Sequence, residues 1–262
     1  MRVVSWNVNS VRTRLDRLLG LLARHSPDLV CLQETKVEDA GFPHPALEAV
    51  GYRAETFGQK TYNGVALLVK HGVILTEVGR GFPGNPIPEQ ARVIHARCGG
   101  IHFVNLYVVN GQEVGSEKFA LKLLWLDALT AWLRERFRAD LPLVLLGDFN
   151  VAPTDLDVHD PDAWRDHVLC SPAERARLDA LLQWGTQDLF RLHEPGPGHY
   201  SWWDYRAGAF ARGHGLRIDL ALGTPAAAAL CDAARLDREE RKQGDWESKP
   251  SDHAPLLLDF AD

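Results

Sequence analysis

Residues 141–155 read Leu-Pro-Leu-Val-Leu-Leu-Gly-Asp-Phe-Asn-Val-Ala-Pro-Thr-Asp, so a strand-length apolar run ends in an acid and an amide. Asp and Asn are poor strand formers, and loops that leave a rigid scaffold commonly carry catalytic side chains. Side chains two residues apart in an extended chain lie on the same side. We therefore predict a buried strand that presents Asp148 and Asn150 together at its end. An ordinary Asx turn would use the same two residue types.

Four other segments also place polar side chains directly after an apolar run. They are residues 6–9 (Trp-Asn-Val-Asn), 32–36 (Leu-Gln-Glu-Thr-Lys), 216–219 (Leu-Arg-Ile-Asp) and 251–255 (Ser-Asp-His-Ala-Pro). Carboxylate and amide oxygens are the ligands that hard divalent cations prefer. Together the segments predict one oxygen-rich, metal-binding hydrolytic centre.

The order of strand-like and helix-like segments predicts an α/β fold with two sheets packed face to face and helices outside. The apolar runs with strand signals are residues 3–6, 28–32, 64–69, 73–78, 93–97, 101–108, 143–146, 218–222 and 255–260. Amphipathic helices are predicted over residues 10–24 and 116–138, and a third begins at the capping box of residues 171–174. Neighbouring strands between residues 51 and 109 are joined only by turns, which disfavours a doubly wound parallel sheet.

A short internal similarity accompanies this pattern. The tripeptides at residues 6–8 (Trp-Asn-Val) and 149–151 (Phe-Asn-Val) each close an apolar strand. The match hints at two related halves. The long predicted helix carries Phe119, Leu123 and Leu126 on its apolar face.

Composition excludes several classes of protein. The chain has 262 residues, 45% of them hydrophobic, and no Ser/Gly-rich linker, so we predict a single domain over residues 1–262. No apolar run approaches the ~18 residues of a membrane helix, and no signal-length segment is present, so we expect no membrane partner and a cytoplasmic location. The four cysteines are widely spaced without a CxxC pair, which argues against a cysteine zinc site.

The net charge of −6 has the wrong sign for a protein that coats nucleic acid. An enzyme that contacts few phosphates is compatible with this charge, because carboxylates around a metal lower the total while a local basic strip binds the backbone.

Seven motifs along the chain resemble those of the exonuclease III family of DNA repair nucleases. They occur in family order and span nearly the whole chain. They are residues 5–12 (Ser-Trp-Asn-Val-Asn-Ser-Val-Arg), 32–36, 62–68 (Tyr-Asn-Gly-Val-Ala-Leu-Leu), 147–155, 200–206 (Tyr-Ser-Trp-Trp-Asp-Tyr-Arg), 215–222 (Gly-Leu-Arg-Ile-Asp-Leu-Ala-Leu) and 251–255. The resemblance implies a four-layer α/β sandwich of the deoxyribonuclease I type, with two packed mixed β-sheets flanked by helices, and a monomer.

The resemblance implies a metal site at the strand ends. Glu34 is expected to be the main ligand of Mg²⁺, although the ligand types do not distinguish Mg²⁺ from Mn²⁺. Asn7 is expected beside it as a metal-side or phosphate-orienting group, and Asp252, Asp148 and Asn150 are expected to face the same side. Taken alone, Glu34 would be an ordinary surface residue at a strand end.

The catalytic residues that the resemblance implies are Asp148, Asn150, His253, Asp219, Tyr107 and Asn110. Asp148 is expected to take a proton from the attacking water or to position that water. His253 is expected to contact the scissile phosphate, with Asp219 fixing its tautomer. Tyr107 and the amide three residues later are expected to hold the phosphate.

The DNA-binding residues that the resemblance implies are one aromatic residue and a basic strip. Trp202 is expected to line the pocket for a base-free sugar, whereas Trp203 is expected to pack inward. Stacking on an aromatic side chain is worth ~1–3 kcal/mol in single-strand binders. The basic strip is predicted to consist of Arg12, Lys36, Lys60, Arg206, Arg212 and Arg217.

These observations predict a magnesium-dependent nuclease that cuts duplex DNA 5′ to an abasic site and removes 3′ blocks or nucleotides. Two alternatives stay open at this level. A phosphatase of inositol phosphates or a sphingolipid phosphodiesterase could share the acid, amide and histidine pattern but would not predict the aromatic segment 200–205. A non-enzymatic DNA-binding module would leave the many acids unexplained.

Overall fold

Two six-stranded sheets form the centre of the computed structural model, which describes residues 1–261. The first sheet has the order β11-β12-β1-β2-β4-β3, and the second has the order β5-β6-β7-β8-β10-β9. The strands are β1 Arg2–Asn7, β2 Leu29–Gln33, β3 Tyr52–Phe57, β4 Val65–Lys70, β5 Leu75–Arg80, β6 Val93–Cys98, β7 Ile101–Tyr107, β8 Leu143–Asp148, β9 Gln187–Asp188, β10 Asp219–Gly223, β11 Cys231–Leu236 and β12 Leu256–Phe260.

Among residues 1–261 the two sheets are accompanied by eight α-helices. They are α1 Leu15–His25, α2 His44–Glu48, α3 Glu117–Arg136, α4 Pro161–Trp164, α5 Pro172–Trp184, α6 Leu189–His193, α7 Ala209–Arg212 and α8 Pro225–Ala228. Short 3₁₀ turns lie at Asp39–Gly41, Asp155–Asp157, Arg206–Gly208 and Arg238–Arg241. Leu18 and Leu21 of α1 pack on the first sheet, and Trp125 and Leu129 of α3 pack on the second.

The central core lies between the two sheets. Alternate side chains of a strand face opposite sides, and here both sides are buried, which explains why most strands are continuous apolar runs. The inner layer includes Val3, Leu29 and Val65 from the first sheet and Phe103 and Val144 from the second. The predicted four-layer α/β sandwich with two mixed sheets is therefore confirmed.

The two sheets repeat one pairing pattern. In the first sheet β1 pairs antiparallel with β12 and parallel with β2, which pairs antiparallel with β4. In the second sheet β8 pairs antiparallel with β10 and parallel with β7, which pairs antiparallel with β6. Asn7 closes β1, and Asn150 follows β8. The similarity of the two tripeptides thus corresponds to equivalent strands of two related sheets.

All nine predicted strand segments are strands, but β3, β9 and β11 escaped prediction. These strands lie at sheet edges, where one side faces solvent and the sequence is more polar. The first helix begins at Leu15, not at residue 10, because Asn9 and Ser10 have positive φ angles of 45° and 90°. In α3, Lys122 is buried, whereas Leu123, which we placed on the apolar face, is only half-buried.

One residue of the predicted basic strip serves the fold instead. Arg217 is fully buried, and its guanidinium pairs with Asp157 at 2.7 Å and with Asp188 at 2.6 Å. The pairs join β10 to the 3₁₀ turn before α4 and to the N-terminus of α6. The expectation that Arg217 binds the DNA backbone does not fit this position, because the guanidinium is buried and donates to two carboxylates from Nε, Nη1 and Nη2.

The four cysteines are free and buried in the described structure. Among residues 1–261, no helix has both the length and the apolar character needed to cross a bilayer.

The half-buried His95 and the buried His102 form an aromatic cluster with Phe137 near the end of α3. His95 Nδ1 lies 3.2 Å from His102 Nε2, and the His102 ring is 4.7 Å from that of Phe137. Burial lowers the pKa of His102 to about 4 and also lowers the pKa of His95. Both rings are therefore neutral at physiological pH.

Acidification should destabilise the fold through His102. In the unfolded chain the pKa of this histidine is ~6.5. The contribution of the neutral ring to the free energy of unfolding is therefore fully present above that pH and is lost as the pH falls towards the folded-state pKa of about 4. We expect this residue to reduce the free energy of unfolding by about 1 kcal/mol between about pH 7.5 and 5.5. Urea titrations of the parent and of His102→Gln at both pH values measure the difference.

The matched control is His71→Gln, which removes an exposed histidine. This control should keep the pH dependence of the parent protein. If His102→Gln also keeps it in full, the buried ring is not the source of the acid sensitivity.

Candidate active site

One edge of the sandwich collects the polar side chains that end the central strands. Because β1 runs parallel to β2 and β7 runs parallel to β8, their carboxyl ends meet at the same edge. Asn7 ends β1, Glu34 follows β2, Tyr107 ends β7 and Asp148 ends β8. Asp219 begins the antiparallel strand β10 and is directly opposite Asp148 in the register.

An amide holds two carboxylates together at the centre of the site. Asn7 Nδ2 donates to Glu34 Oε1 and to Asp148 Oδ2, both at 2.9 Å. Its Oδ1 accepts from the backbone N–H of Asn9 at 3.0 Å. Asn7 is buried between the two acids, so in this arrangement it orders them while its own oxygen is occupied.

His253 lies against the same group of acids. Its Nδ1 is 2.8 Å from Asp219 Oδ2, and its Nε2 is 3.8 Å from Asp148 Oδ2. The hydroxyl of Ser201 fixes Asp219 by accepting from its backbone N–H at 3.0 Å. Because the proton on Nδ1 is used towards Asp219, Nε2 faces the carboxylate centre.

The burial of these groups changes their proton affinities. Asp148 is 1% exposed, and burial raises its pKa to about 7, helped by Asp219 and Glu34 and opposed by His253. Burial alone would lower the pKa of His253, but Asp219 and Asp148 outweigh it and raise the pKa to about 10. At neutral pH the site therefore contains an imidazolium beside a carboxyl group that can exchange a proton.

Tyr107 forms one wall of the site. Its ring lies under the guanidinium of Arg92, which is 4.7 Å from the ring centroid, and Arg92 Nη1 donates to the Tyr107 carbonyl at 3.1 Å. Burial and the charges of Glu34 and Asp148 raise the pKa of Tyr107 well above its usual value. The hydroxyl therefore keeps its proton and can donate a hydrogen bond.

Two amides lie on the other wall. Asn110 Nδ2 donates to Asn150 Oδ1 at 3.0 Å, and Asn150 Nδ2 donates to the carbonyl of Val108 at 3.0 Å. The backbone N–H of Asn150 also donates to Asp148 Oδ1 at 2.9 Å. The two amides thus form a chain that leads from the surface to Asp148.

Asp252 lies on the opposite side of the carboxylate centre. Its Oδ1 accepts from Asn9 Nδ2 at 2.9 Å, and its Oδ2 accepts from Trp202 Nε1 at 3.1 Å. Lys36 Nζ reaches both Asn9 Oδ1 and Glu34 Oε2. Asp252 is therefore linked to Glu34 through an amide and a lysine, and it also fixes the indole of Trp202.

The backbone around the site adopts conformations that side chains usually avoid. Positive φ angles occur at Asn9 (45°), Glu34 (51°), Lys36 (54°) and Asn150 (50°). Such left-handed residues cost on the order of 1–3 kcal/mol each and persist only where the surroundings enforce them. Their concentration at this edge marks it as a functional site.

The side chains present fit a hard divalent cation. One ligand atom each from Glu34, Asp148 and His253 lies within 4.8 Å of the others. Asp219 Oδ1 is buried without a hydrogen-bond partner among the described residues. Magnesium uses one or two carboxylates and keeps several waters, so Glu34 and Asp148 suffice to hold it.

The remaining basic residues of the predicted strip are at the surface. Arg12, Lys36 and Lys60 line one cavity of about 300 Å³, and Arg206 and Arg212 are exposed on the segment after Tyr205. Trp202 is half-buried beside His253, to which its backbone pairs, and Trp203 is buried. Of these residues Lys36 contacts the acidic centre directly, through Glu34.

Two charged residues near the site were not predicted from the sequence. Arg92 supports Tyr107, and Lys122 reaches the backbone of Asn110 and Asn150. A signal was present only for Lys122, which is a lysine on the apolar face of a helix, three residues after Phe119.

Comparison with known proteins agrees with this geometry. Residues 4–253 match the model of the Endonuclease/Exonuclease/phosphatase family. Exodeoxyribonuclease III of Haemophilus influenzae is 34% identical over 272 residues, which cover 99% of this chain and 100% of the relative.

Solved structures are similar over the whole chain. NExo of Neisseria, named a 3′-5′ exonuclease in one structure and a 3′ phosphatase bound to a product DNA hairpin in another, is 41% identical with a TM-score of 0.93 and at least 99% coverage of both chains. An AP endonuclease of Archaeoglobus fulgidus is 35% identical with a TM-score of 0.92 and 99% coverage of both chains. The chain therefore belongs to the Endonuclease/Exonuclease/phosphatase family and, within it, groups with the exonuclease III enzymes.

Proposed function

We propose that residues 1–262 form one magnesium-dependent nuclease domain that hydrolyses the phosphodiester 5′ to abasic sites in duplex DNA and removes nucleotides or blocks from 3′ ends. The observation that carries the proposal is the convergence of Glu34, Asp148 and His253, with Asp219 behind the histidine, at one edge of the sandwich. Manganese fits the same ligand types.

The arrangement suits hydrolysis of a phosphate diester. A Mg²⁺ ion, when bound, supplies positive charge that polarises a phosphoryl oxygen and offsets the negative charge of the transition state. Glu34 and Asp148 would hold it. Asp148 accepts a proton from the attacking water, because it is the buried carboxylate at the centre of the site and its Oδ1 is held by the backbone N–H of Asn150.

The other residues bind and orient the phosphate. His253 is an imidazolium at neutral pH, so its Nε2–H donates to a phosphate oxygen while Asp219 fixes the ring. Tyr107 and Asn110 offer neutral donors from the two walls, and Asn150 holds the water next to Asp148 without adding negative charge. Attack is then in line, and no covalent intermediate with the protein is needed.

The surface beside the site supports a DNA substrate. Exposed lysines and arginines next to an acidic centre bind a phosphate backbone locally in spite of the net charge of −6. The half-buried indole of Trp202 lies next to His253 and offers a surface for a base-free sugar. The similar proteins are an exodeoxyribonuclease III, a 3′-5′ exonuclease that is also described as a 3′ phosphatase, and an AP endonuclease, and these activities support the same class of substrate.

Replacing Asp148 with Asn should abolish cleavage while DNA still binds. The amide keeps the shape of the side chain but does not accept the proton of the water, so we expect the rate to fall by about 10³-fold or more. A gel of end-labelled duplex with one abasic residue measures cleavage, and a filter-binding titration measures affinity. Asp140→Asn, an identical change at an exposed site, serves as the control. Cleavage by Asp148→Asn at the parent rate would remove Asp148 from the chemistry.

Removal of divalent cations should stop cleavage and leave the protein folded. In the presence of a chelator we expect no product, and added Mg²⁺ or Mn²⁺ should restore it. Glu34→Gln should need a higher Mg²⁺ concentration for half-maximal rate, because a neutral amide is a weaker ligand than a carboxylate. A cleavage rate that changes neither with chelator nor with added metal would contradict the metal site.

Trp202→Ala should reduce incision at an abasic site more than removal of nucleotides from a plain 3′ end. The lost stacking is worth ~1–3 kcal/mol, which corresponds to about 5- to 160-fold in rate. Paired assays on the two substrates give the ratio. Trp246→Ala, which removes a half-buried indole that packs against Gly20 away from the site, should leave the ratio unchanged. If Trp202→Ala lowers the rates on both substrates equally, Trp202 has only a packing role.

A further inference from the structure

A buried ion pair joins two helices to the amide wall of the site. Lys122 of α3 and Glu174 of α5 form a salt bridge in which both side chains are 0% exposed. Replacing a buried pair with apolar residues is often neutral or stabilising, because desolvation of two charges offsets their attraction. Stability alone therefore does not account for this pair.

The lysine reaches beyond its acid to two backbone carbonyls. Lys122 Nζ donates to the carbonyl of Asn110 at 3.0 Å and to the carbonyl of Asn150 at 2.6 Å. All three donors of the ammonium are thus in use. The two carbonyls belong to the residues whose side-chain amides are hydrogen-bonded to each other at the site.

The glutamate fixes the same wall by a second route. Its Oε1 accepts from the backbone N–H of Leu169 at 3.0 Å, and its Oε2 accepts from that of Ser171 at 3.1 Å. The carbonyl of Leu169 in turn accepts from the N–H of Ala152 at 2.7 Å. The segment that carries Asn150 is therefore held at residue 150 by the lysine and at residue 152 through the glutamate.

Packing leaves the lysine little freedom. Gly111 follows Asn110 and has a φ of +92°, and a Cβ built on it would lie 3.0 Å from Lys122 Cδ. The loop thus turns closely around the lysine stem. A shift of the ammonium would move both carbonyls, and with them the amides.

We propose that Lys122, oriented by Glu174, is a positioning residue that holds the amides of Asn110 and Asn150 in their catalytic arrangement. This inference rests on the proposed function. Lys122 does not touch the substrate in this proposal and acts only through the two amides. Misplacement of a catalytic group by about 1 Å can reduce a rate by about 10²-fold, so the expected effect is on kcat.

The test replaces the pair with neutral groups of similar shape in Lys122→Met/Glu174→Gln. On duplex DNA with one abasic residue we expect kcat to fall about 10- to 100-fold and KM to change less than about threefold. The control is Asp127→Asn/Arg177→Gln, which removes an exposed salt bridge between the same two helices without reaching the amides, and it should keep the parent kcat. Parent kcat in the Lys122 variant would overturn the proposal.

A double-mutant cycle separates positioning from a general structural role. If the pair acts through the amides, its removal should cost much less in kcat when Asn150→Ala is already present. If kcat falls by the same factor in both backgrounds, the pair acts independently of Asn150, and the proposal is overturned. If the double variant does not fold, Lys122→Gln is measured in the same cycle.

The positions of the two amides can also be measured without substrate, independently of nuclease activity. Nitrogen-15 NMR signals of the Asn110 and Asn150 side-chain amides should shift or broaden in the Lys122 variant and stay unchanged in the control. Unchanged signals would overturn the positioning role. Failure of the parent protein to cut abasic DNA, with the NMR change present, would overturn the proposed function and leave the positioning of the amides intact.

Discussion

The burial of like charges at one edge of the sandwich is the constraint on which the rest of the site depends. Asp148 and Asp219 are buried and Glu34 is half-buried beside them, an arrangement that would be costly without compensation. Asn7 provides two N–H donors and His253 provides a positive charge. The remaining negative charge is what a divalent cation would neutralise. The same clustering of negative charge raises the pKa of Asp148 to about 7 and would attract a divalent cation.

The pattern of apolar runs was sufficient to predict the layers of the fold, because both faces of the central strands are buried. The failures were local. Edge strands such as β3 and β11 are half-exposed and carry mixed sequences, and the start of α1 was displaced by the left-handed residues 9 and 10. The pairing of these elements depends on contacts between residues far apart in the chain, which periodicity does not encode.

The residues of the site were also predicted in part. Residues at strand ends were found because acids and amides there break the strand pattern, and the family resemblance attached expected roles to them. Arg217 was assigned to the surface because a charged residue beside a motif suggests a ligand contact, yet two acids from distant segments bury it. Lys122 and Arg92 were missed for the opposite reason. Their importance lies in the backbone carbonyls and the ring that they contact, and such partners cannot be read from spacing.

The pairing of β1 with β12 determines when the site can form during synthesis of the chain. β1 is hydrogen-bonded to β12, and His253 lies just before β12. During synthesis His253 and β12 leave the ribosome after Asn7, Glu34 and Asp148 have done so. A nascent chain therefore holds its acids without their cationic partner. The acids are therefore paired with the imidazole only after the segment that contains His253 has been synthesised, so the complete site forms late relative to β1, β2 and β8.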